Sequence, residues 1–537
     1  MKNSIFILGI RLTFLFFMLS QVAFAQYTNL PLGYNYSLNF GDDIFKNIEH
    51  SSFKPIILSS ENLDIESIIE KKFSSNSDFL ESRIFNKHLI ELSGEDYYVG
   101  GSLISNLSVG KEMEASLNTF VNTRGFIIDG FIGDRVSFQT SFLENQAVFP
   151  NYIDSLIRTQ DFVIPGQGRG RTYYDNGFDY ARSSGFVSVE ASDNFIVQFG
   201  HGKHFIGDGY RSLLLSDNSF NYPFLRLQSN FGKFQYTNLY CEFQDMKNYL
   251  SFENNYDYMG YAKKYMSAHY LSYNLNDKFS IGMYEAVVWK TNRNLGSNGF
   301  DINYLNPVIF LRPVEYSINS PDNVLIGLNF RYNLTSKSNL YSQIVLDEFT
   351  INEMRENNGY WANKYGYQLG YKCFDFLNLP NLTFHVERNY VRPYTYSHWN
   401  ESNYGHYNEE LAHPLGSNFS ENILILSYRK NRIIAQIKYL DITTGSDYLN
   451  DTISYGGNIY ADYNDRSSNY GIEMYNGNET EIDFFQLNLG YILNPTTNLK
   501  LEFSLTHRNQ ISQQYDQKTN FYSMSLVSDL FNYYYDF

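Results

Sequence analysis

Apolar and polar residues alternate along most of this chain from Tyr97 onward, in paired stretches separated by short turns. In Arg135–Leu143, one face carries Val136, Phe138 and Phe142, and the other face carries polar groups. A period of two is the signature of a β-strand with one apolar face. The pattern predicts antiparallel hairpins that turn at Gly133-Asp134, Asp193-Asn194, Asn276-Asp277, Asn431 and Asn494-Pro495.

The connections between the predicted strands alternate between tight turns and long loops. Strands of about 7 to 13 residues bracket the length that a tilted membrane strand needs. One-sided long loops are typical of a transmembrane barrel. We therefore predict an all-β fold, a transmembrane antiparallel up-and-down β-barrel of about 18 strands over residues 96–537. The predicted long loops are Pro150–Ser183, Gly202–Pro223, Gln244–Lys264, Lys290–Asp322, Phe349–Asn363, Tyr390–Glu421 and Asp441–Thr480.

The amino-terminal residues predict export. Lys2 is followed by an apolar run that Arg11 interrupts, and Ala23-Phe24-Ala25 provides a small-x-small cleavage pattern, so residues 1–25 are predicted to be a signal peptide. Residues 26–95 are predicted to form a small periplasmic segment under or beside the barrel. Its stretch Ile65–Phe73 has the apolar spacing of a short helix.

The carboxyl-terminal residues resemble the closing strand of a bacterial outer-membrane barrel. Phe531, Tyr533, Tyr535 and Phe537 fall at every second position, so Phe521–Phe537 is predicted to be the last membrane strand with an aromatic ladder on one face. Together with the export signal, this predicts the outer membrane of a Gram-negative bacterium, with membrane lipid and lipopolysaccharide as neighbours.

Composition agrees with a barrel and excludes other classes. Aromatic residues make up 18% of the chain, with 48 Tyr and 44 Phe, and barrels place such rings where hydrocarbon meets headgroups. After the signal no run of 18 apolar residues occurs, which excludes a helical membrane protein. The net charge of −16 argues against nucleic-acid binding. Cys241 and Cys373 lie in apolar strand series and are interpreted as small apolar residues rather than a disulfide.

Several segments resemble the capsule-assembly Wzi family, and more closely its gliding-motility RemB-like members from Bacteroidota. The resemblance runs from about Tyr98 to the carboxyl terminus. It rests on Arg124-Gly125 through Glu144-Asn145-Gln146, Gly200 through Ser216, Tyr222-Pro223, Tyr304 through Pro307, Arg312 through Glu315, Asp347-Glu348, Arg392 through Tyr394, Tyr404 through Asn408, and Leu411 through Gly416. It implies a barrel that organises polysaccharide at the cell surface and that is linked to surface motility, with motility or capsule-export proteins as partners.

Two groups of residues are candidates for polysaccharide contact. Arginine side chains bind sugar carboxylates or phosphates through paired hydrogen bonds, and exposed aromatic rings stack on sugar rings. Lumen salt bridges, lipopolysaccharide contact and loop packing remain the alternative roles. The candidates are Arg169, Arg171, Arg182, Lys203, Arg211, Tyr394 and Trp399, with Tyr173, Tyr174, Tyr396 and Tyr407 as further loop rings.

Charged residues at inward positions or strand ends are predicted to form a network in the lumen, which holds water and loops in place, with transport selectivity as the alternative. The predicted members are Glu144, Glu190, Arg312, Glu315, Arg331, Asp347 and Glu387, with Glu348 beside them.

Three other functions are weighed against polysaccharide binding. A solute-diffusion channel is the main alternative, although seven long loops favour a blocked lumen. An outer-wall phospholipase would use His385 and Ser427, but no motif supports it, and we predict no enzyme. For His201, His204, His406 and His413 to bind a metal, a carboxylate or a further histidine would have to lie nearby, and the sequence does not place one there. We therefore predict no metal and no cofactor.

Overall fold

A computed structural model describes residues 27–59, 65–73, 79–250, 260–290, 299–311, 313–314, 317, 322–399, 402–449 and 451–537. The predicted signal peptide lies outside these residues. Within them, 18 long strands form the wall, numbered β1 to β18 along the chain. They are β1 Tyr97–Glu112, β2 Leu117–Ile132, β3 Val136–Val148, β4 Gly177–Ser192, β5 Phe195–Gly202, β6 Tyr222–Phe231, β7 Phe234–Leu250, β8 Gly260–Asn276, β9 Phe279–Lys290, β10 Asn323–Thr335, β11 Ser338–Leu346, β12 Tyr365–Cys373, β13 Leu382–Val391, β14 Phe419–Lys430, β15 Ile433–Ser446, β16 Asn478–Asn494, β17 Leu499–Ser512 and β18 Asp516–Ser528.

The wall is a closed antiparallel barrel. Each strand pairs with the next along the chain, and β18 pairs with β1 from Phe521 opposite Glu112 to Val527 opposite Asn106. Closure leaves no free edge in the sheet. The predicted up-and-down barrel of 18 strands is confirmed, and the strands are longer than predicted because their polar ends continue the ladder beyond the apolar band.

Alternation along the strands separates an inner face from an outer face. In β10, Asn329 and Arg331 are buried inside, whereas Ile326 and Tyr332 are exposed outside, as the period of two predicts. Gly133, with φ of +59°, supplies the left-handed conformation that the turn between β2 and β3 requires.

The two ends of the barrel differ. The connections after β3, β5, β9, β11, β13 and β15 are long and lie at one end, which we call the long-loop end. The connections after even-numbered strands are short and lie at the opposite end, the short-turn end, where β1 starts and β18 stops. Six of the seven long loops that the sequence predicted are long connections in the structure. The seventh, Gln244–Lys264, is strand at both ends, in β7 and β8, and the residues between, 251–259, lie outside the described residues.

Short elements accompany the wall. The helices are Tyr34–Leu38, Gly41–Asn47, Ile65–Phe73, Phe79–Phe85, Asn151–Thr159 and Ile351–Glu356, with 3-10 turns at Ile302–Leu305, Phe376–Asn378 and Tyr463–Asp465. The short strands are Tyr27–Asn29, Phe53–Lys54, Ile57–Ser59, Ile90–Ser93, Val163–Ile164, Gly168–Arg169, Arg171–Tyr173, Phe205–Ile206, Gly405–His406 and Glu409–Glu410. Within the described part of the chain, no helix is long and apolar enough to cross a membrane.

The described part of the amino-terminal segment up to Phe73 packs inside the barrel, whereas residues 79–93 stay at the short-turn end, where Ile90–Ser93 pairs with the start of β1. The predicted helix Ile65–Phe73 is confirmed, and its buried Ile69 and Phe73 pack with Phe40 against inward side chains of the wall such as Ile104 and Ile127. Apolar burial against the inner wall therefore draws this segment into the short-turn end. Cys241 and Cys373 are free thiols on β7 and β12.

Candidate functional site

Three segments of the same chain fill the lumen. We call them the N-terminal plug (residues 27–59), the infolded loop (residues 203–221) and the tail (residues 529–537). The plug strand Phe53–Lys54 pairs with Phe205–Ile206 of the infolded loop. The Asn532 side chain joins tail to plug, because its amide donates to the Leu32 carbonyl at 3.0 Å and its carbonyl accepts from the Tyr34 N–H at 2.7 Å. These contacts supply the partners that buried polar groups need.

Arg211 of the infolded loop sits in a fully buried ion cluster. Its Nη2 donates to Glu421 Oε1 at 3.0 Å and to Asp536 Oδ1 at 3.1 Å. Lys438 Nζ donates to Asp536 Oδ2 at 2.7 Å, and Glu421 Oε2 lies 2.6 Å from His413 Nε2. The cluster ties the tail and two loops to β14 and β15. Arg211 therefore has internal partners, and its predicted contact with polysaccharide is not available to it.

Glu387 of β13 makes a second tie between the wall and the infolded loop. Its carboxylate accepts the backbone N–H of Tyr210 at 2.8 Å and of Arg211 at 3.1 Å. The Tyr341 hydroxyl donates to the same carboxylate at 2.6 Å. A buried carboxylate with several donors is stabilised in its position, so Glu387 holds the loop in the lumen.

The prediction of a membrane-facing aromatic ladder at the carboxyl terminus is wrong. The last strand stops at Ser528, and the tail continues through the lumen toward the long-loop end. There the Tyr152 hydroxyl donates to the Tyr535 carbonyl at 2.8 Å, and Arg508 Nε donates to the Phe537 carbonyl at 2.8 Å. Alternating rings mark an apolar face, but in this tail that face packs against the interior rather than against lipid.

Arg182 also lies in the lumen, not on the loop surface as a polysaccharide ligand. Its guanidinium carbon is 3.9 Å from the Phe531 ring centroid and 5.6 Å from that of Tyr533, a cation–π arrangement. Its Nε and Nη2 have no hydrogen-bond partner among the described residues. Arg182 lines a cavity of about 80 Å³, which is large enough for a few water molecules.

Lys203 and Glu409 tie the long loops to each other. Lys203 Nζ donates to the carbonyls of Gly166 at 2.7 Å and Asp217 at 3.1 Å. Glu409 accepts the N–H groups of Gly166 at 2.5 Å and Phe220 at 2.8 Å. Burial lowers the pKa of Lys203 to about 8 and raises the pKa of Glu409 to about 8. Lys203 is thus a structural cation and not an exposed ligand.

Aromatic rings from three loops meet at the surface of the long-loop end. The Tyr360 and Tyr470 rings are 5.4 Å apart, the Trp361 and Tyr463 rings are 4.8 Å apart, and the Arg466 guanidinium carbon lies 4.0 Å from the Trp361 ring. Tyr470 is 50% exposed and Trp399 is 44% exposed. We call this set the aromatic loop cluster: Tyr360, Trp361, Trp399, Tyr463 and Tyr470.

Tyr394, which the sequence placed among the sugar-contacting rings, lies beneath this cluster. It is fully buried, its ring is 6.1 Å from that of Trp361, and its hydroxyl donates to the Ser454 carbonyl at 2.8 Å. Tyr396 is buried in the same way, with its hydroxyl donating to the Leu213 carbonyl. Both therefore support the loops. Trp361 and Tyr470 escaped the sequence analysis because no local pattern shows that distant loops bring rings together.

A second exposed surface carries arginine and tyrosine. Arg169 Nη1 donates to the Tyr261 hydroxyl at 2.8 Å, and the Tyr261 and Tyr407 rings are 6.0 Å apart. Arg171 is exposed in the same loop, as is Tyr174. Of the basic residues predicted to bind polysaccharide, Arg169 and Arg171 are the ones that the structure leaves accessible. Their contact with polysaccharide stays a prediction.

The charged residues that were predicted to line the lumen lie in different parts of the barrel. Arg331 is buried in the lumen, where its Nη2 donates to the Glu49 carbonyl at 3.0 Å. Asp347 is buried at a strand end, accepts the Tyr396 N–H at 2.8 Å, and has its pKa raised by burial to about 7.

The other predicted members of that network lie elsewhere. Glu190 lies on an inward position near the short-turn end. The prediction that Glu144 faces the lumen is wrong, because Glu144 is exposed on the outer face opposite Arg124 near the long-loop rim. Arg312 and Glu315 lie outside the described residues.

The histidines have internal roles. His385, considered for an outer-wall hydrolase, lies inside the lumen with its Nδ1 2.7 Å from the Tyr34 hydroxyl and its Nε2 against Tyr341. Ser427 also faces the lumen, where its hydroxyl accepts from Gln436 Nε2 at 2.9 Å. The outer-wall position considered for His385 and Ser427 is therefore wrong.

The remaining candidate histidines are held by loop contacts. His204 is buried, His406 Nδ1 accepts the Gln244 N–H at 3.0 Å, and His201 Nδ1 lies 3.3 Å from the Ser183 carbonyl. Over the described ranges, no group of three or more His, Cys, Asp or Glu has an arrangement that would hold a metal ion.

Solved structures resemble this barrel, whereas sequence comparisons do not identify it. No known family model and no curated protein matches the sequence. Wzi of Escherichia coli, an outer-membrane protein involved in group 1 capsule assembly and a carbohydrate-binding β-barrel, superposes with a TM-score of 0.53 at 11% identity, covering 93% of this chain and 99% of Wzi.

Two further solved barrels align at lower scores. OprD of Pseudomonas aeruginosa has a TM-score of 0.41 at 11% identity, covering 83% of this chain and 96% of OprD. OccAB2 of Acinetobacter baumannii has a TM-score of 0.41 at 9% identity, covering 80% of this chain and 96% of OccAB2. At 11% identity the likeness to Wzi establishes the barrel fold of the chain and nothing more.

Proposed function

We propose that this protein is an outer-membrane barrel of a Gram-negative bacterium that binds or anchors surface polysaccharide, as in capsule assembly. The long-loop end then faces the outside of the cell and the short-turn end faces the periplasm, the usual orientation of such barrels. No catalysis and no cofactor are part of the proposal. In this role the protein meets lipopolysaccharide and surface polysaccharide, and it also takes part in gliding motility with capsule-export or motility proteins.

The aromatic loop cluster is the observation that carries the proposal. Flat rings exposed beside hydrogen-bonding groups suit a pyranose, whose C–H face packs on an aromatic ring while its hydroxyls bond to polar neighbours. Such neighbours are at hand, since Asn358 donates to Glu353 at 2.7 Å beside Tyr470. Below the cluster the lumen is filled, so a bound polymer would rest on the loops rather than enter the barrel. The description of Wzi as carbohydrate-binding supports the same reading.

Binding to purified surface polysaccharide of the producing strain tests this site. Trp399→Ala and Tyr470→Ala should each weaken binding about tenfold, the loss expected for one stacked ring of roughly 1.4 kcal/mol. Tyr515→Ala is the matched control, because Tyr515 is equally exposed in a short connection of the same end but outside the cluster. Equal binding by all three variants and the unmodified protein would contradict the assignment.

A diffusion channel is the competing function, and the filled lumen argues against it. Tail, plug and infolded loop are cross-linked by buried hydrogen bonds, and the side chains of Arg211, Glu421 and Asp536 are buried between them and the wall. In planar bilayers the protein should show no large stable conductance steps. Steps of porin size would instead favour transport.

Capsule and motility roles are tested in the producing organism. A deletion strain should lose surface polysaccharide and spread less on a surface. Complementation with the Trp399→Ala, Tyr470→Ala double variant should restore barrel abundance but not polysaccharide retention. Normal retention and normal spreading in the deletion strain would refute both roles, and a defect in retention alone would refute the motility part.

A further inference from the structure

Polar side chains form a row on the outer face of the wall. Asn238 of β7, His269 of β8 and Glu285 of β9 are register neighbours across three adjacent strands. The alternate residues of these strands, such as Leu239 and Ala268, belong to the lumen core, so the row faces outward. It lies near mid-height, since Glu285 is inside β9 and not at its end. A barrel carries an apolar band at this height, so the row needs an explanation.

Residues 299–311, from the connection after β9, cover this row. We call them the outer strap. Wall side chains bond its backbone: Tyr236 and Asn238 donate to the Pro307 carbonyl at 2.7 and 3.1 Å, and Glu285 accepts the N–H groups of Phe310 and Leu311 at 2.6 and 2.8 Å. Asn238 and Glu285 therefore bond the strap backbone directly, and His269 Nδ1 lies 2.7 Å from the Tyr236 hydroxyl that does so.

The underside of the strap is apolar and packed against the wall. The Tyr304 ring lies 4.4 Å from the Trp289 ring, and the Phe300 ring lies 5.0 Å from it. Tyr304 and Leu311 are fully buried in this contact. In addition, the Ser267 hydroxyl donates to the Tyr304 carbonyl at 2.9 Å. The strap is thus bound to the wall along its length.

The other side of the strap is exposed and mostly apolar, with Asn303 and Asn306 as its exposed polar residues. Ile302 is 75% exposed, Val308 is 63% exposed and Phe310 is 53% exposed. Asp301, at the start of the strap, caps the turn Ile302–Leu305 through the Asn303 N–H, and no charged residue occurs from Ile302 to Leu311. Beside the strap, the register neighbour of Glu285 on β10 is the outward Ile326, so the apolar surface of the strap is continuous with that of the wall.

We propose that the outer strap lies in the hydrocarbon of the membrane, with lipid acyl chains covering Ile302, Val308 and Phe310. This rests on the proposed membrane location of the barrel. Irregular backbone is costly in hydrocarbon unless its polar groups are paired. Here the wall pairs the carbonyls of Tyr304 and Pro307 and the N–H groups of Phe310 and Leu311, and Pro307 has no N–H of its own. Lipid is favoured over a protein partner because the exposed side has no charge that would select one.

Quenching by brominated lipid tests the proposal in phosphatidylcholine vesicles with bromine on the acyl chains. Both native cysteines are replaced by alanine, and single cysteines carrying an environment-sensitive fluorophore are placed by Val308→Cys, Leu501→Cys and Tyr174→Cys. Leu501 is an exposed outward residue of β17 far from the strap, and Tyr174 is an exposed loop residue. Fluorescence of the Val308→Cys label should be quenched to within about twofold of the Leu501→Cys label, and the Tyr174→Cys label should be unaffected.

Each outcome decides the proposal. Quenching of Leu501→Cys without quenching of Val308→Cys would overturn the strap assignment while leaving the membrane barrel intact. Absence of quenching in both would overturn the membrane location and the strap with it. A photo-cross-linker attached to Val308→Cys in cells of the producing strain should yield lipid adducts. A predominant protein adduct there would overturn lipid as the occupant.

Discussion

Replacing Arg211 by methionine should release the tail from the lumen. Arg211 is the cation that Glu421 and Asp536 share at 3.0 and 3.1 Å, and all three side chains are buried. Methionine keeps most of the volume but leaves two buried carboxylates without this partner. Breaking a buried pair in this way costs about 3–5 kcal/mol. Lys438 continues to neutralise Asp536 in part, which places the expected cost near the lower value.

The expected cost converts into a measurable opening of the tail. A loss of about 3 kcal/mol raises the open population roughly a hundredfold, at 1.36 kcal/mol for each factor of ten. Carboxypeptidase acts on the open form, so its rate of trimming tracks that population when closing is fast. Intact-mass measurement of the detergent-purified protein follows the loss of Phe537 and Asp536.

The control for this experiment is Arg169→Met, which removes an exposed arginine from a loop. It should trim at the unmodified rate, and both variants should keep the heat-dependent gel migration of a folded barrel. A rate for Arg211→Met within about threefold of the unmodified protein would refute the view that the cluster locks the tail.

Two further predictions concern the infolded loop and a strand end. Gly209→Ala should destabilise the plugged state by about 1–3 kcal/mol and speed tail trimming, because a Cβ there would lie 2.3 Å from the Glu387 carboxylate. Gly260→Ala is the control and should change neither, because a Cβ at Gly260 meets open space. Burial raises the pKa of Asp347 from 3.8 to about 7, so its contribution to stability is fully present below pH 3.8 and is lost as the pH rises through 7. Asp347→Asn, which still accepts the Tyr396 N–H, should therefore melt progressively higher than the unmodified protein as the pH rises from 4 to 8, and a constant difference in melting temperature would contradict this.

The wall was predictable because its rules are local. A period of two gives the face of each residue, which is why Arg331 was correctly placed inside. The same rule, applied strictly, puts Glu144 on the outward face together with Phe142. Its predicted lumen position was wrong because charged residues were assigned to inward positions. Near the rim an outward carboxylate meets water and costs little.

The lumen and the candidate site were not predictable, because their contacts join distant parts of the chain. Arg211 meets Asp536 across more than three hundred residues, and nothing near Arg211 in sequence distinguishes a buried cation from an exposed one. The aromatic tail satisfies the same periodicity inside the lumen as it would in a membrane strand. Likewise Trp361 and Trp399 lie in loops that only the closed barrel brings together.

The interior position of the tail has a consequence for the order of assembly. The Leu530 carbonyl accepts the Gly33 N–H at 3.0 Å, and Asp529 accepts from the Asn35 side chain at 2.9 Å. Residues synthesised early therefore reach their final partners only after residues nearly five hundred positions later exist. Long-range contacts of this kind slow folding. The N-terminal plug therefore reaches its final partners only after β18 has formed. Until then it stays undocked, alone or bound by another factor. Docking of the plug is then the last step of assembly and follows completion of the wall.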